Sequence, residues 1–135
     1  MADRTARGLA LVLLLIAVVT LLVGGIGIMN IMLATVAART HEIGIRKALG
    51  ATNGAIRFQF LSEAVLISLA GGIVGIGVGL GFPTVIRILT DYQIPISYVS
   101  AVVALTACSF VGMLFGTLPA IRAAQSDPID SLRQE

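Results

Sequence analysis

The sequence predicts an all-α integral membrane protein with three transmembrane helices, a short cytoplasmic helix between the first two, and a C-terminal amphipathic helix. Of its 135 residues, 57% are hydrophobic and only 12% are charged, whereas an ordinary soluble domain has about 25% charged residues. Three apolar runs are long enough to cross a hydrocarbon core of roughly 30 Å. Basic residues gather between the first two runs, as expected of a cytoplasmic loop.

Composition also excludes several classes of function. The net charge is only +2 and Trp is absent, so the chain lacks the basic, aromatic-rich face on which nucleic acids stack. Its single cysteine, Cys108, cannot form an internal disulfide or build a metal site alone. Cys108 lies in an apolar run, where a small packing residue is the simpler interpretation.

The first span is predicted over residues 9–38. It begins like a signal peptide, with a charged start and an apolar run, but the run is too long for one. Thirty helical residues measure roughly 45 Å, so the helix either tilts or protrudes from the bilayer. Within the span, Asn30 either makes an interhelical hydrogen bond or contacts a substrate.

Residues 39–57 form the most distinctive loop of the chain. It holds four of the nine basic residues, Arg39, Arg46, Lys47 and Arg57. A short helix from Glu42 to Leu49 is predicted to stop at Gly50 as the residue after its C-cap, and Thr52 or Asn53 can cap the next helix. Two interpretations stay open: a solvated connector whose charges set topology, or a contact surface for a soluble motor.

The second span is predicted over residues 58–82, with Pro83 marking its end. Near its start, Glu63 either stays hydrated or pairs with Arg57. A structural role is favoured over a proton relay, because the predicted spans hold no second acid or histidine. Glycines recur every four residues along one face, a pattern that favours close helix packing. They are Gly71, Gly75 and Gly79.

The remainder of the chain is an external loop (83–97), a third span (98–118) and a cytoplasmic tail (119–135). Gly112 and Gly116 belong to a second stripe of small residues on the third span. In the tail, Asp127 is placed to cap a short amphipathic helix that carries Ile129 and Leu132.

The predicted topology has the N-terminus outside and the C-terminus in the cytoplasm. Arg4 and Arg7 fit this topology poorly, because a short N-terminal segment with two arginines resists translocation. The conflict disappears if the natural chain continues upstream with an earlier span and an external domain.

Catalytic motifs are missing from the sequence. His41-Glu42 begins like H-E-x-x-H, but position 45 is Ile, so the second zinc-binding histidine is absent. There is neither a G-x-S-x-G nucleophile motif nor a phosphate-binding G-x-x-x-x-G-K-[ST] loop. We therefore expect a non-catalytic chain that binds no cofactor.

Two long motifs resemble the MacB/FtsX-like ABC transporter permease family, and the first is closest to its macrolide-exporter members. They are GGIGIMNIMLATVAARTHEIGIRKALGAT (Gly24 to Thr52) and LPAIRAAQSDPIDSLRQE (Leu118 to Glu135). The resemblance implies the last three spans of a four-span permease of the bacterial inner membrane. The second span of such a permease, here residues 9–38, extends outward as a stalk, and ATP is bound by a separate or fused ATPase.

The resemblance further implies partners and contact residues. The partners are an ABC ATPase, a second permease copy and a periplasmic adaptor protein, together with membrane lipid. The loop helix and the tail helix are the parts that meet the ATPase. The candidate contact residues are Glu42, Ile43, Arg46, Lys47, Leu49, Ile129 and Leu132, with Ile43 and Leu49 as apolar anchors in the loop.

Three other functions remain open at this point. One is a cell-division type of permease that regulates wall hydrolases, and another is a truncated permease without transport of its own. The third is an unrelated small transporter, which would need a polar, substrate-lined face on its spans.

Overall fold

The fold was examined in a computed structural model that describes residues 2–90, 95, 97–127 and 129. All regular structure in this part of the chain is α-helical, which confirms the predicted fold class. Three of the helices are long and apolar enough to span a membrane. The helices are α1 (Ala2–Ala38), α2 (Thr40–Ala48), α3 (Asn53–Thr90) and α4 (Tyr98–Gln125).

Two prolines do not end helices as the sequence predicted. α3 continues through Pro83 to Thr90, and α4 continues through Pro119 to Gln125, so both predicted boundaries are wrong. A proline removes only one backbone hydrogen bond of its helix, and Pro119 is buried among the other helices, so packing holds α4 continuous through it. Half of the predicted external loop is therefore helical, while Asp91 lies outside the described residues.

Helix length places the ends of α1 and α3 beyond a bilayer core. The 37 residues of α1 and the 38 residues of α3 correspond to roughly 55 Å each, against a hydrocarbon thickness of roughly 30 Å. Both helices begin or end far from α2, so the excess length projects from the opposite face of the bundle.

The buried core lies at the end of the bundle nearest α2. Here the C-terminal part of α1, the start of α3 and the end of α4 converge around α2. The buried residues of this cluster are Met32, Val36, Ile43, Ile56, Phe60, Ala64, Ala120 and Ala123. The rest of the bundle has few buried side chains, as expected where lipid covers helices.

Helices α3 and α4 approach each other closely at two glycines. A Cβ atom at Gly112 would lie 2.7 Å from the Cβ of Ser68, and one at Gly116 would lie 2.6 Å from the Cβ of Ala64. Beside Gly112, the buried Ser68 hydroxyl donates a hydrogen bond to the Cys108 carbonyl of α4. Small residues therefore set the distance between these two helices.

The other predicted glycine face makes no such contact with the residues that the structure describes. A Cβ atom at Gly71, Gly75 or Gly79 would have no neighbour within 4 Å among the described residues. These glycines line an open apolar cavity of about 810 Å³ between α1, α3 and α4, in the half of the bundle away from α2. Instead, Gly72 faces α4, where a Cβ would lie 3.2 Å from Cys108 Sγ.

Candidate functional site

The candidate site is the α2 segment, whose ends are fixed by local sequence. Gly50 has a positive φ of 98°. Its N–H donates to the Lys47 carbonyl, and the Ala51 N–H donates to the Arg46 carbonyl, each at 3.0 Å. This is the Schellman arrangement, which confirms Gly50 as the stop of the helix. Thr52, and not Asn53, caps α3 by accepting a hydrogen bond from the Ala55 N–H at 3.2 Å.

One face of α2 is buried against the three long helices. Ile43 is only 3% exposed and packs in the core cluster with residues of α1, α3 and α4. The Ile43 side chain is therefore used inside the chain, where it holds α2 on the bundle, and its contact with a partner stays a prediction. Lys47, one turn later on the same face, is partly buried and reaches the end of α4.

A polar cluster joins α2 to the start of α3. Arg46 pairs with Glu42 one turn earlier and donates a hydrogen bond to Gln59 Oε1 at 2.6 Å. Arg39 lies 3.6 Å from Glu42 and 3.7 Å from Glu63 between charged atoms. Glu63 thus pairs with Arg39, whereas the sequence suggested Arg57. These side chains are half-exposed, so the pairs orient α2 more than they stabilise the fold.

The free face of α2 carries two exposed apolar side chains. Leu49 is 83% exposed and Ile45 is 43% exposed. They are four residues apart and so lie on neighbouring positions of one face. Sequence reasoning singled out Leu49 but missed Ile45. The i, i+4 spacing was the available signal, since Ile43 and Leu49 are six residues apart and do not share a face.

The tail begins beside α2, directly after α4. The Ile129 N–H donates to Asp127 Oδ1 at 3.1 Å, as expected when Asp127 caps a following helix. Ile129 itself is 74% exposed. Leu132, the other candidate in the tail, lies outside the described residues. The exposed apolar residues near this end of the bundle thus include Ile45, Leu49 and Ile129.

The fold and the comparisons define the class of protein. Three apolar helices of membrane-spanning length make this chain a multi-pass membrane protein. Residues 14–128 match the family described as FtsX-like permease C-terminal. The chain belongs to that family, as the resemblance of its motifs predicted.

Curated relatives agree with this membership. The chain is 46% identical over 134 residues to the macrolide export ATP-binding/permease protein MacB of Chromobacterium violaceum, covering 98% of this chain and 21% of the relative. It is 46% identical, with 98% and 20% coverage, to the probable syringafactin export ATP-binding/permease protein SyfD of Pseudomonas syringae pv. tomato. It is 49% identical to the uncharacterized ABC transporter permease YknZ of Bacillus subtilis, with 89% and 30% coverage. The chain thus spans between a fifth and a third of the length of these relatives.

Proposed function

We propose that this chain is the membrane part of a MacB-like ABC transporter permease and that α2 passes the motion of an ATPase to the bundle. One observation carries this proposal: α2 is buried on one face and presents Ile45 and Leu49 on the other. An exposed apolar pair on a firmly seated helix is a suitable anchor for a protein partner, because binding energy concentrates in a few such side chains.

The contacts of α2 with the three long helices explain how a force applied to this short helix reaches them. α2 follows α1 after the single residue Arg39, contacts α3 through Arg46 and Gln59, and packs on α4 through the core cluster. A push on its free face therefore reaches all three long helices at their most tightly packed end. The opposite half, which surrounds the open cavity, has room to close.

The partner we assign is an ABC ATPase, as a separate subunit or a fused domain. The sequence lacks a phosphate-binding loop, so we place ATP on the partner and no cofactor on this chain. Several relatives are named as ATP-binding/permease proteins, which supports a close association of the two functions. A second permease copy and a periplasmic adaptor remain predictions from the resemblance.

For the transported substrate we propose an extracytoplasmic molecule that the protein moves without a conventional pore. The names of relatives refer to macrolide export and to probable syringafactin export, which supports export as the direction of transport. The projecting ends of α1 and α3 would carry the motion outward as a stalk. We place the protein in the bacterial inner membrane.

The proposed orientation puts α2 in the cytoplasm and the α3–α4 connection outside. Single cysteines at Asn53 and Ser97, each in a Cys108→Ala background, test it because both positions are exposed. An impermeant thiol reagent added to intact cells should label position 97 and leave position 53 unlabelled until the cells are broken. Labelling of position 53 but not of position 97 in intact cells would reverse the topology.

The proposed function itself is tested on the full-length protein that contains this chain. We expect an ABC ATPase to co-purify with it or to be fused to it, and its ATP hydrolysis in lipid nanodiscs to depend on the permease part. A catalytic substitution in the ATPase is the control. If the permease part neither binds an ATPase nor changes its hydrolysis rate, the proposal fails. If it binds an ATPase but its deletion impairs only cell separation, the cell-division type of permease is correct.

A further inference from the structure

The last carbonyl groups of α4 are able to accept hydrogen bonds from a polar group outside the helix. α4 ends at Gln125, and Ser126 leaves the helix with φ −58° and ψ 125°. The last carbonyls of a helix have no partner within it and carry a partial negative charge. Ala123 and Ala124 are buried here, so these carbonyls are partly screened from water and benefit from a charged donor.

Lys47 of α2 supplies that donor. Its Nζ donates to the Ala124 carbonyl and, at 2.6 Å, to the Ser126 carbonyl. In the sequence, Lys47 is 77 residues from Ala124 and 79 residues from Ser126. One turn before Lys47, Ile43 packs in the same cluster as residues of α4. Apolar packing and a charge-assisted cap therefore hold α2 to α4 side by side.

The location of this contact gives it a further consequence. Lys47 is two residues before the exposed Leu49, and Ser126 is three residues before the exposed Ile129. The contact therefore joins the end of α4 directly to α2, beside the apolar packing of the core cluster. The segment that carries Leu49 and the segment that carries Ile129 therefore both begin at the contact between Lys47 and Ser126.

We propose that Lys47 is a positioning residue that clamps the start of the tail to α2, so that Leu49 and Ile129 form one docking surface for the ATPase. This inference rests on the proposed function and adds a residue to it. Lys47 does not itself contact the ATPase in this proposal; it acts through the placement of the two segments. Without the clamp, docking would have to order the tail at a cost in conformational entropy. The clamp orders its start before the ATPase binds and so reduces that cost.

The test uses the full-length permease with its ATPase in nanodiscs. Lys47→Met keeps the aliphatic stem but removes the donors, and it should lower the affinity for the ATPase about tenfold, as expected for a lost charge-assisted contact. Lys47→Arg, which retains donors, should restore most of the affinity. Arg57→Met removes the same charge from an exposed position near the start of α3 and should have little effect.

A covalent cross-link in place of the Lys47 contact distinguishes a positioning role of this residue from a role in stability alone. In a cysteine-free background with Cys108→Ala, the pair Lys47→Cys and Ser126→Cys should bind the ATPase weakly. A short bismaleimide that joins the two cysteines should restore binding.

Three results would overturn the inference that Lys47 is a positioning residue. Wild-type affinity in Lys47→Met, together with weak binding in Leu49→Ala, would refute the clamp while the proposed function stands. Weak binding in Lys47→Met that neither arginine nor the cross-link restores, with a lowered unfolding temperature, would make Lys47 a stability contact only. Wild-type affinity in both variants would refute the proposed function, and the clamp with it.

Discussion

The double substitution Ile45→Ala and Leu49→Ala is expected to abolish transport while the ATPase retains or deregulates its hydrolysis. Both side chains are exposed on the free face of α2, so their removal leaves the core cluster intact. Truncation of a buried interface anchor typically costs about 2 kcal/mol or more. Because 1.4 kcal/mol corresponds to a tenfold change in affinity, loss of the pair should weaken ATPase binding at least about thirtyfold.

The measurement is ATP hydrolysis and ATP-driven transport by the full-length permease with its ATPase in liposomes. Leu66→Ala is the matched control, because Leu66 is also an exposed aliphatic residue but lies on the lipid-covered part of α3. It should leave both activities unchanged. If the double variant transports at the wild-type rate with wild-type hydrolysis, α2 is only a connector.

Ile43→Ala should behave differently from the double variant. Because Ile43 is buried in the core cluster, its truncation should lower the free energy of unfolding by about 2–5 kcal/mol. The loss would appear as a lower unfolding temperature before any change in ATPase affinity. A stable Ile43→Ala protein that no longer binds the ATPase would show that our assignment of the two faces of α2 is wrong.

Gly112→Leu is expected to prevent correct packing of α3 on α4. A Cβ at position 112 would lie 2.7 Å from Ser68 Cβ and 3.2 Å from the Val65 Cα. A backbone atom cannot turn aside as a side chain can, so the helices must separate. That separation would also break the hydrogen bond from Ser68 to the Cys108 carbonyl. Gly112→Ala should lower the free energy of unfolding by about 1–3 kcal/mol, the usual cost of overpacking.

The matched control is Gly75→Ala or Gly75→Leu, because a Cβ at position 75 has no neighbour within 4 Å in the described part of the chain. Thermal unfolding of the solubilised chain should show a large loss of stability for the variants at position 112 and little change for those at position 75. Equal losses at the two positions would show that the α3–α4 distance is not set by Gly112.

Helix packing shows clearly what the sequence was able to predict and what it was not. Hydropathy alone located the three long helices, because the bilayer sets both their length and their composition. The glycine spacing correctly indicated a shared face for Gly71, Gly75 and Gly79, but that face opens on a cavity. Which face of α3 meets α4 depends on the rotation of the whole helix. Contacts at distant positions, such as Ser68 with Cys108, fix that rotation.

In the candidate site, too, local sequence determines some features and contacts between distant residues determine the others. Gly50 was identifiable as the end of α2 because a positive φ and a C′ position are local requirements that glycine meets. The burial of Ile43 and the exposure of Ile45 follow from how α2 lies on three other helices. Likewise, the contact of Lys47 with the end of α4 joins parts of the chain 77 residues apart, which no local pattern indicates.

The most direct test of the central claim is site-specific photo-crosslinking from α2 in the full-length permease with its ATPase. A photoreactive amino acid at position 49 should yield a permease–ATPase product, and one at position 45 should yield the same product. The same group at position 66, on the lipid-covered part of α3, should yield none. If neither position 45 nor position 49 cross-links to an ATPase that is present and active, the free face of α2 is not the docking surface and the proposed coupling is wrong.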